Sequence, residues 1–165
     1  MTWATHIAFG SIVASVFGLH TFLVMLGSTA PDWLEDLFGL REHRGVSHYV
    51  FLWGVAFLVS LFLLLYFGGW ALWLFSFVVG GCSHILLDAL TVAGVPLGFG
   101  KMRVRIGGLI RTGKQSEWVF LVLLLVAFVP LKGLNLEIGY SKWKGYYEKG
   151  LLDEREFLER KFKLF

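Results

Sequence analysis

Two long apolar segments restrict what this chain can fold into more than any other feature of the sequence. Tyr49 to Phe67 and Trp70 to Leu90 are nearly free of charge, and each approaches or exceeds the roughly 20 residues that cross a bilayer core. Gly68-Gly69 separates them, which predicts a helical hairpin. Only 16% of the 165 residues are charged, against about 25% in an ordinary soluble domain. The chain is therefore predicted to be a membrane protein.

Two further apolar segments are less regular. Ile7 to Gly27 is interrupted by Gly18 and His20, and Trp118 to Leu131 is short for a span. We expect an all-α bundle with about four membrane segments, followed by a C-terminal amphipathic helix on the membrane surface. A partly disordered, solvated tail is the alternative. The predicted domains are a membrane-embedded domain over residues 1–136 and a surface tail over residues 137–165.

The net charge of +3 indicates which partners the chain can bind. Most basic residues come late in the chain and favour membrane lipids with anionic headgroups over nucleic acid. We expect no nucleic-acid partner, and the sequence leaves the oligomeric state open. Residues 132–165 carry eight Lys and Arg residues, against seven in the rest of the chain. This difference slightly favours a multi-pass protein of the cytoplasmic membrane with a cytoplasmic tail and a functional site on the outer face.

Polar residues with metal-binding chemistry cluster at one end of the predicted hairpin. His84 and Asp88 are four residues apart, so they share a helix face. His48 begins the antiparallel segment and lies at the same membrane face. Imidazole and carboxylate are common ligands of zinc and manganese. The pair alone is equally consistent with a simple His–Asp hydrogen bond, but Asp32 and His43 in the preceding loop favour a metal site.

These motifs resemble the YdjM-like family of inner-membrane metal-dependent hydrolases. The resemblance covers residues 5 to about 125 and rests on Thr5-His6, Pro31-Asp32, residues 43–48 (HRGVSH), 81–91 (GCSHILLDALT), 93–97 (AGVPL) and 113–117 (GKQSE). It implies metal ligation, with Glu117 as a further ligand or as the general base. The implied ligands are His6, Asp32, His43, His48, His84 and Asp88.

One position departs from the family pattern and affects the expected number of ions. The family usually has a second acidic residue two positions after Asp32, where this chain has Leu34, so Glu35 or Asp36 would have to replace it. We expect one or two divalent ions, with zinc favoured and manganese or magnesium as alternatives. The His-x-x-x-Asp helix is also distantly similar to that of zinc-dependent phospholipase C.

The resemblance poses a geometric problem for the first apolar segment. In one straight helix, His6 and Asp32 would be separated by roughly 39 Å at 1.5 Å per residue and could not share a site. Either His6 is not a ligand or the segment folds back, and we expect the segment to be broken near Gly18 and His20, or strongly tilted. His20 is interpreted as a polar contact within the bundle.

The resulting interpretation is a membrane-bound metal-dependent hydrolase acting on a phosphoester or ester of a lipid-like substrate. Glu117 or Asp36 would be the general base, and Arg103 or Arg105 would neutralise developing charge. The basic loop around these arginines fits either an anionic lipid or lipid-phosphate substrate or anchoring to lipid headgroups. Serine hydrolase chemistry is not expected, because the sequence has no Gly-x-Ser-x-Gly motif.

Two other function classes are compatible with the same residues. The first is a non-enzymatic membrane protein that uses the His/Asp cluster for ion binding or transport, which ion flux without hydrolysis would reveal. The second is a haem-binding electron carrier with His20 and His84 as the iron ligands, which a visible absorption spectrum would reveal.

Overall fold

A computed structural model describes residues 1–37, 45–98 and 102–128, together with 144, 148–150 and 153–156 in the tail. The chain forms two compact units, Met1–Leu124 and Leu125–Phe165. In chain order, the elements are α1 (Trp3–Phe17), α2 (Thr21–Gly27), α3 (Ala30–Leu37), a 3₁₀ turn (Val46–His48), α4 (Val50–Phe67), α5 (Ala71–Ala89), β1 (Val95–Pro96), β2 (Arg103–Val104) and α6 (Gln115–Phe128).

Helices α4 and α5 form the predicted helical hairpin. Gly68 and Gly69 join them with φ angles of 54° and 29°, which glycine adopts without steric cost. Both helices are long and apolar enough to cross a membrane. Only 11% of α4 is buried, and side chains such as Leu65 are 75% exposed. A helix this apolar and this exposed suits a lipid environment. The chain is mostly helical, as predicted, with two candidate membrane spans.

The first apolar segment is broken, as expected, into two helices. Helix α1 ends before Gly18, which has a φ of 64°, and the Leu19 N–H closes the helix on the Ala14 carbonyl at 2.9 Å. The chain then folds back, since a Cβ added at Gly10 would lie 3.0 Å from the Ser28 Cβ. The four-span arrangement is not confirmed. Helices α1 and α6 are both too short to be counted as spans.

Helices α2 and α5 cross with their backbones in contact. A Cβ at Gly27 would lie 1.9 Å from the Phe77 carbonyl oxygen, and one at Gly80 would lie 2.2 Å from the Val24 carbonyl oxygen. Glycine is required at both positions because any side chain would force the helices apart. This crossing holds the end of α2, and therefore the start of α3, against the second half of α5.

A short antiparallel β-hairpin, absent from the predicted all-α class, covers one end of the two long helices. Strands β1 and β2 pair Val95 with Val104. The Ile106 N–H donates to the Ala89 carbonyl at 2.7 Å, and the Phe51 N–H donates to the Leu97 carbonyl at 3.0 Å. The hairpin is thereby attached to the end of α5 and the start of α4.

The predicted tail falls largely outside the described residues. Within 137–165, only short stretches such as Asp153 to Glu156 are described. The amphipathic surface helix and the domain boundary after residue 136 therefore stay predictions.

The glycine crossing generates a stability prediction. Gly80→Ala should lower the free energy of unfolding by about 2–3 kcal/mol, because its methyl group overlaps the backbone of α2. Gly54→Ala is the matched control, since no atom lies within 4 Å of a Cβ at that position, and it should change stability by less than about 1 kcal/mol. Thermal unfolding followed by tryptophan fluorescence in detergent compares the two. Equal stability of both variants would contradict the crossing.

Candidate metal centre

His84 lies on the buried face of α5 and is oriented by the end of α2. Its Nδ1 lies 2.8 Å from the Ser28 carbonyl oxygen, and its side chain is fully buried. A carbonyl oxygen can only accept a hydrogen bond, so Nδ1 carries the proton. In the neutral ring, Nε2 therefore presents a lone pair to the space between the helices.

His48, at the end of the 3₁₀ turn, is oriented in the same way by a carboxylate. Its Nδ1 lies 2.9 Å from Glu35 Oε1, which also accepts from the Gly45 N–H at 2.7 Å and the Ser47 hydroxyl at 2.9 Å. Glu35 is only 5% exposed. Carboxylates commonly fix metal-binding histidines through the ring nitrogen that does not bind the metal. The pair directs His48 Nε2 towards His84.

Four electron-rich atoms converge where these two rings meet. The Nε2 atoms of His48 and His84 are 3.2 Å apart, and Asp32 Oδ1 lies 3.3 Å from the former and 3.7 Å from the latter. Asp88 Oδ2 lies 4.0 Å and 3.7 Å from the same two nitrogens. Buried lone pairs and carboxylates repel one another unless positive charge lies between them. The Met1 ammonium group, which contacts Asp88 Oδ1, supplies part of that charge, and a proton or a metal ion between the four atoms would supply more.

The surroundings of His6, on α1, favour a metal ion over a proton at this point. Its ring stacks on His84 with centroids 3.7 Å apart, and it is fully buried. Neither of its ring nitrogens makes a hydrogen bond with any described residue, although Nε2 lies 3.5 Å from Asp88 Oδ1. The amino group of Met1 also contacts this oxygen. A buried imidazole without hydrogen bonds is costly unless it has another partner, and a metal ion would be such a partner.

The five side chains form two overlapping groups with metal-binding geometry. Within each group the possible ligand atoms lie within 4.8 Å of one another. One group is His6, His84 and Asp88, and the other is Asp32, His48 and His84. Both groups need His84, whose Nδ1 is already bonded to Ser28. One Nε2 lone pair can bind one ion, so the two groups make up a single centre. Three imidazoles and two carboxylates are a ligand set that suits zinc or manganese.

The structure brings together five of the six predicted ligands, and His43 lies outside the described residues. His20 lies elsewhere, at the turn between α1 and α2. Its ring meets Trp73 edge-on, and its backbone N–H donates to the Ser76 hydroxyl. Ser76 and His84 are about 12 Å apart along α5, so His20 and His84 are too distant to bind one haem iron. The haem interpretation is therefore wrong for this pair.

Glu117, the predicted further ligand or general base, lies outside both groups and accepts four hydrogen bonds. Its carboxylate accepts the Thr2 N–H at 2.6 Å, the Thr2 and Thr5 hydroxyls at 2.9 and 2.8 Å, and the Gly113 N–H at 2.6 Å. Burial raises the pKa of Glu117, but these hydrogen bonds outweigh burial and hold the pKa below its usual value. A carboxylate with these four donors is a weak base. It ties the start of α1, and thus His6, to the loop before α6.

The other predicted catalytic residues are also outside the two groups. Asp36 is exposed, whereas its neighbour Glu35 is buried against His48. Arg103 and Arg105 are exposed on the β-hairpin, and the Arg103 guanidinium donates to the Ala93 carbonyl at 3.0 Å. From the sequence, Glu35 and Asp36 were alternatives for the second acidic residue that the family has after Asp32. Its hydrogen bond to His48 places Glu35, and not Asp36, beside the candidate centre.

Comparisons with known proteins give one match. A family model described as YdjM inner membrane protein matches residues 1–143, a range that includes all five side chains of the centre. No curated protein and no solved structure matches the chain.

Adjacent acidic residues provide a test of how the centre is held. Glu35→Ala should weaken zinc binding by about 10- to 100-fold, because His48 loses the carboxylate that orients it. Asp36→Ala is the matched control and should leave the affinity unchanged, because its side chain is exposed. Competition with a chromogenic chelator measures both. Equal affinities in the two variants would show that Glu35 does not orient His48.

Proposed function

The chain belongs to the YdjM inner membrane protein family, and we propose that it is a membrane-bound metal-dependent hydrolase. The observation that carries the proposal is the convergence of His48 Nε2, His84 Nε2 and two carboxylates. The Nδ1–H of His48 donates to Glu35 and that of His84 donates to the Ser28 carbonyl, so the Nε2 lone pairs of both rings face the same space. A purely structural hydrogen-bond network would place a donor opposite an acceptor at this point.

A divalent ion fits these residues. His6, Asp32, His48, His84 and Asp88 would hold it, and three imidazoles favour zinc over magnesium, which prefers oxygen ligands. Such an ion, when bound, supplies Lewis-acid polarisation of the scissile group and activation of water. Manganese remains compatible with the same ligands. A second ion would need ligands other than His84, and His43 is the predicted residue available for it.

The chain's own residues hold this centre in a fixed geometry. Ser28 and Glu35 set the orientation of His84 and His48, and Glu117 ties down the helix that carries His6. The Trp3 indole donates to Asp32 Oδ2 at 2.8 Å, which turns Oδ1 towards the two imidazoles. Ligands fixed in advance need no reorganisation when substrate arrives, and this supports catalysis.

Asp32 marks the side from which water and substrate approach. Its side chain is 19% exposed, whereas those of Asp88 and the three histidines are at most 3% exposed. Asp32 Oδ1 is counted among the ligand atoms, so we assign Asp32 to metal binding and not to proton transfer.

The proposed substrate is a phosphoester of a lipid-like molecule at the membrane interface. The centre lies at one end of the two candidate spans, beside a hairpin with exposed Arg103 and Arg105. Guanidinium groups pair with phosphate, which favours a phosphoester over a neutral ester. We place the centre on the outer face of the cytoplasmic membrane and the C-terminal tail on the cytoplasmic face.

Removing ligands tests the proposal. His84→Ala and Asp88→Ala should each lower bound metal at least about tenfold and abolish hydrolysis, because each loses a ligand from the same helix face. His20→Ala is the matched control and should retain both properties, since it lies at the distant turn. Elemental analysis of purified protein and a screen of lipid phosphoesters supply the two measurements.

The same experiment distinguishes the hydrolase proposal from ion binding or transport. Full metal content in either ligand variant would refute the centre. Metal binding with ion flux into liposomes, but without hydrolysis of any phosphoester or ester, would instead support ion binding or transport.

A further inference from the structure

An apolar groove lies beside the metal centre and does not take part in it. It is a cavity of about 240 Å³ between the start of α4, the end of α5 and the β-hairpin. Its walls are almost entirely apolar and include Trp53, Gly54, Ile85, Ala89, Val95 and Val104. None of these residues belongs to the metal-ligand groups.

The surroundings of the groove indicate what fills it. Its rim includes Leu86 and Ile106, which are 47% and 48% exposed, so it opens onto the outer surface of the long helices. In a bilayer that surface is covered by lipid hydrocarbon. The cavity is smaller than the roughly 300–1,000 Å³ of a pocket for a whole small molecule. It has room for part of a lipid, such as a segment of one alkyl chain.

The hairpin wall adds charge to the mouth of the groove. Val104 lines the cavity, while its neighbours Arg103 and Arg105 are exposed. Arg103 and Arg105 directly flank Val104, so this short segment offers an apolar side chain to the groove and two exposed basic side chains next to it. We propose that the groove binds one alkyl chain of an anionic lipid whose phosphate pairs with Arg103 and Arg105.

Trp53 connects the groove to the hydrogen bonds around the metal centre. The Trp53 indole lines the groove and donates to the Ser47 carbonyl at 2.7 Å, and the Ser47 hydroxyl donates to Glu35. Ile85 and Ala89 directly follow His84 and Asp88 on α5. A lipid held in the groove is therefore bound next to the centre. The lipid site does not rest on the proposed hydrolysis, because binding needs no metal ligand.

Photolabelling tests the lipid site directly. The protein in phosphatidylcholine nanodiscs is irradiated with phosphatidic acid that carries a diazirine on one acyl chain, and adducts are mapped by mass spectrometry. Adducts should concentrate on groove residues such as Ile85 and Val104. Gly54→Leu should reduce them about tenfold. Its side chain would enter open space in the groove, since no atom lies within 4 Å of a Cβ at Gly54.

Two further variants complete the test. Val59→Phe adds bulk to the exposed face of α4 and should leave the adducts unchanged. Arg103→Gln combined with Arg105→Gln should remove the preference for phosphatidic acid over phosphatidylcholine in competition. His84→Ala should retain labelling, so that failure of hydrolysis and failure of lipid binding are told apart. Adducts spread evenly over exposed residues such as Leu58, and insensitive to Gly54→Leu, would overturn the proposal.

Discussion

The hydrogen bond from His84 Nδ1 to the Ser28 carbonyl is the interaction on which the rest of the structure depends. It joins the end of α2 to the middle of the buried face of α5, and it fixes which nitrogen of His84 faces the centre. It is possible only because Gly27 and Gly80 let the two backbones touch. The fold-back at Gly18 then brings α1 alongside, so that His6 stacks on His84. The ligand geometry is thus a consequence of how closely two helices pack.

Burial makes the centre both costly and specific. Three imidazoles and two carboxylates lie together among apolar helices, where unpaired charges cost several kcal/mol each. The chain offsets part of this cost with fixed partners, namely Ser28 for His84, Glu35 for His48 and Trp3 for Asp32. His6 has no such hydrogen-bond partner among the described residues. A metal ion bound at the centre would be such a partner, and it would link the stability of the fold to the proposed function.

Much of this arrangement was predictable from the sequence. Two nearly charge-free segments predicted the helical hairpin, and the separation of His6 and Asp32 predicted a break in the first segment if both are ligands. The choice between Glu35 and Asp36 was not predictable, because residues three and four positions after Asp32 are both its neighbours on the helix surface. The hydrogen bonds of Glu117 were not predictable either, since its four donors come from Thr2, Thr5 and Gly113, over 100 positions away or across a turn. The short β-hairpin carried too little periodicity to be recognised.

X-ray absorption spectroscopy at the zinc edge tests the central claim most directly. Protein purified after growth with zinc should contain at least one equivalent of metal per chain. The spectrum should show several imidazole nitrogens at about 2.0–2.1 Å together with carboxylate oxygens, as expected for a centre built on His6, His48 and His84. A chain free of tightly bound metal, or a first shell dominated by sulfur at about 2.3 Å from the single Cys82, would contradict it.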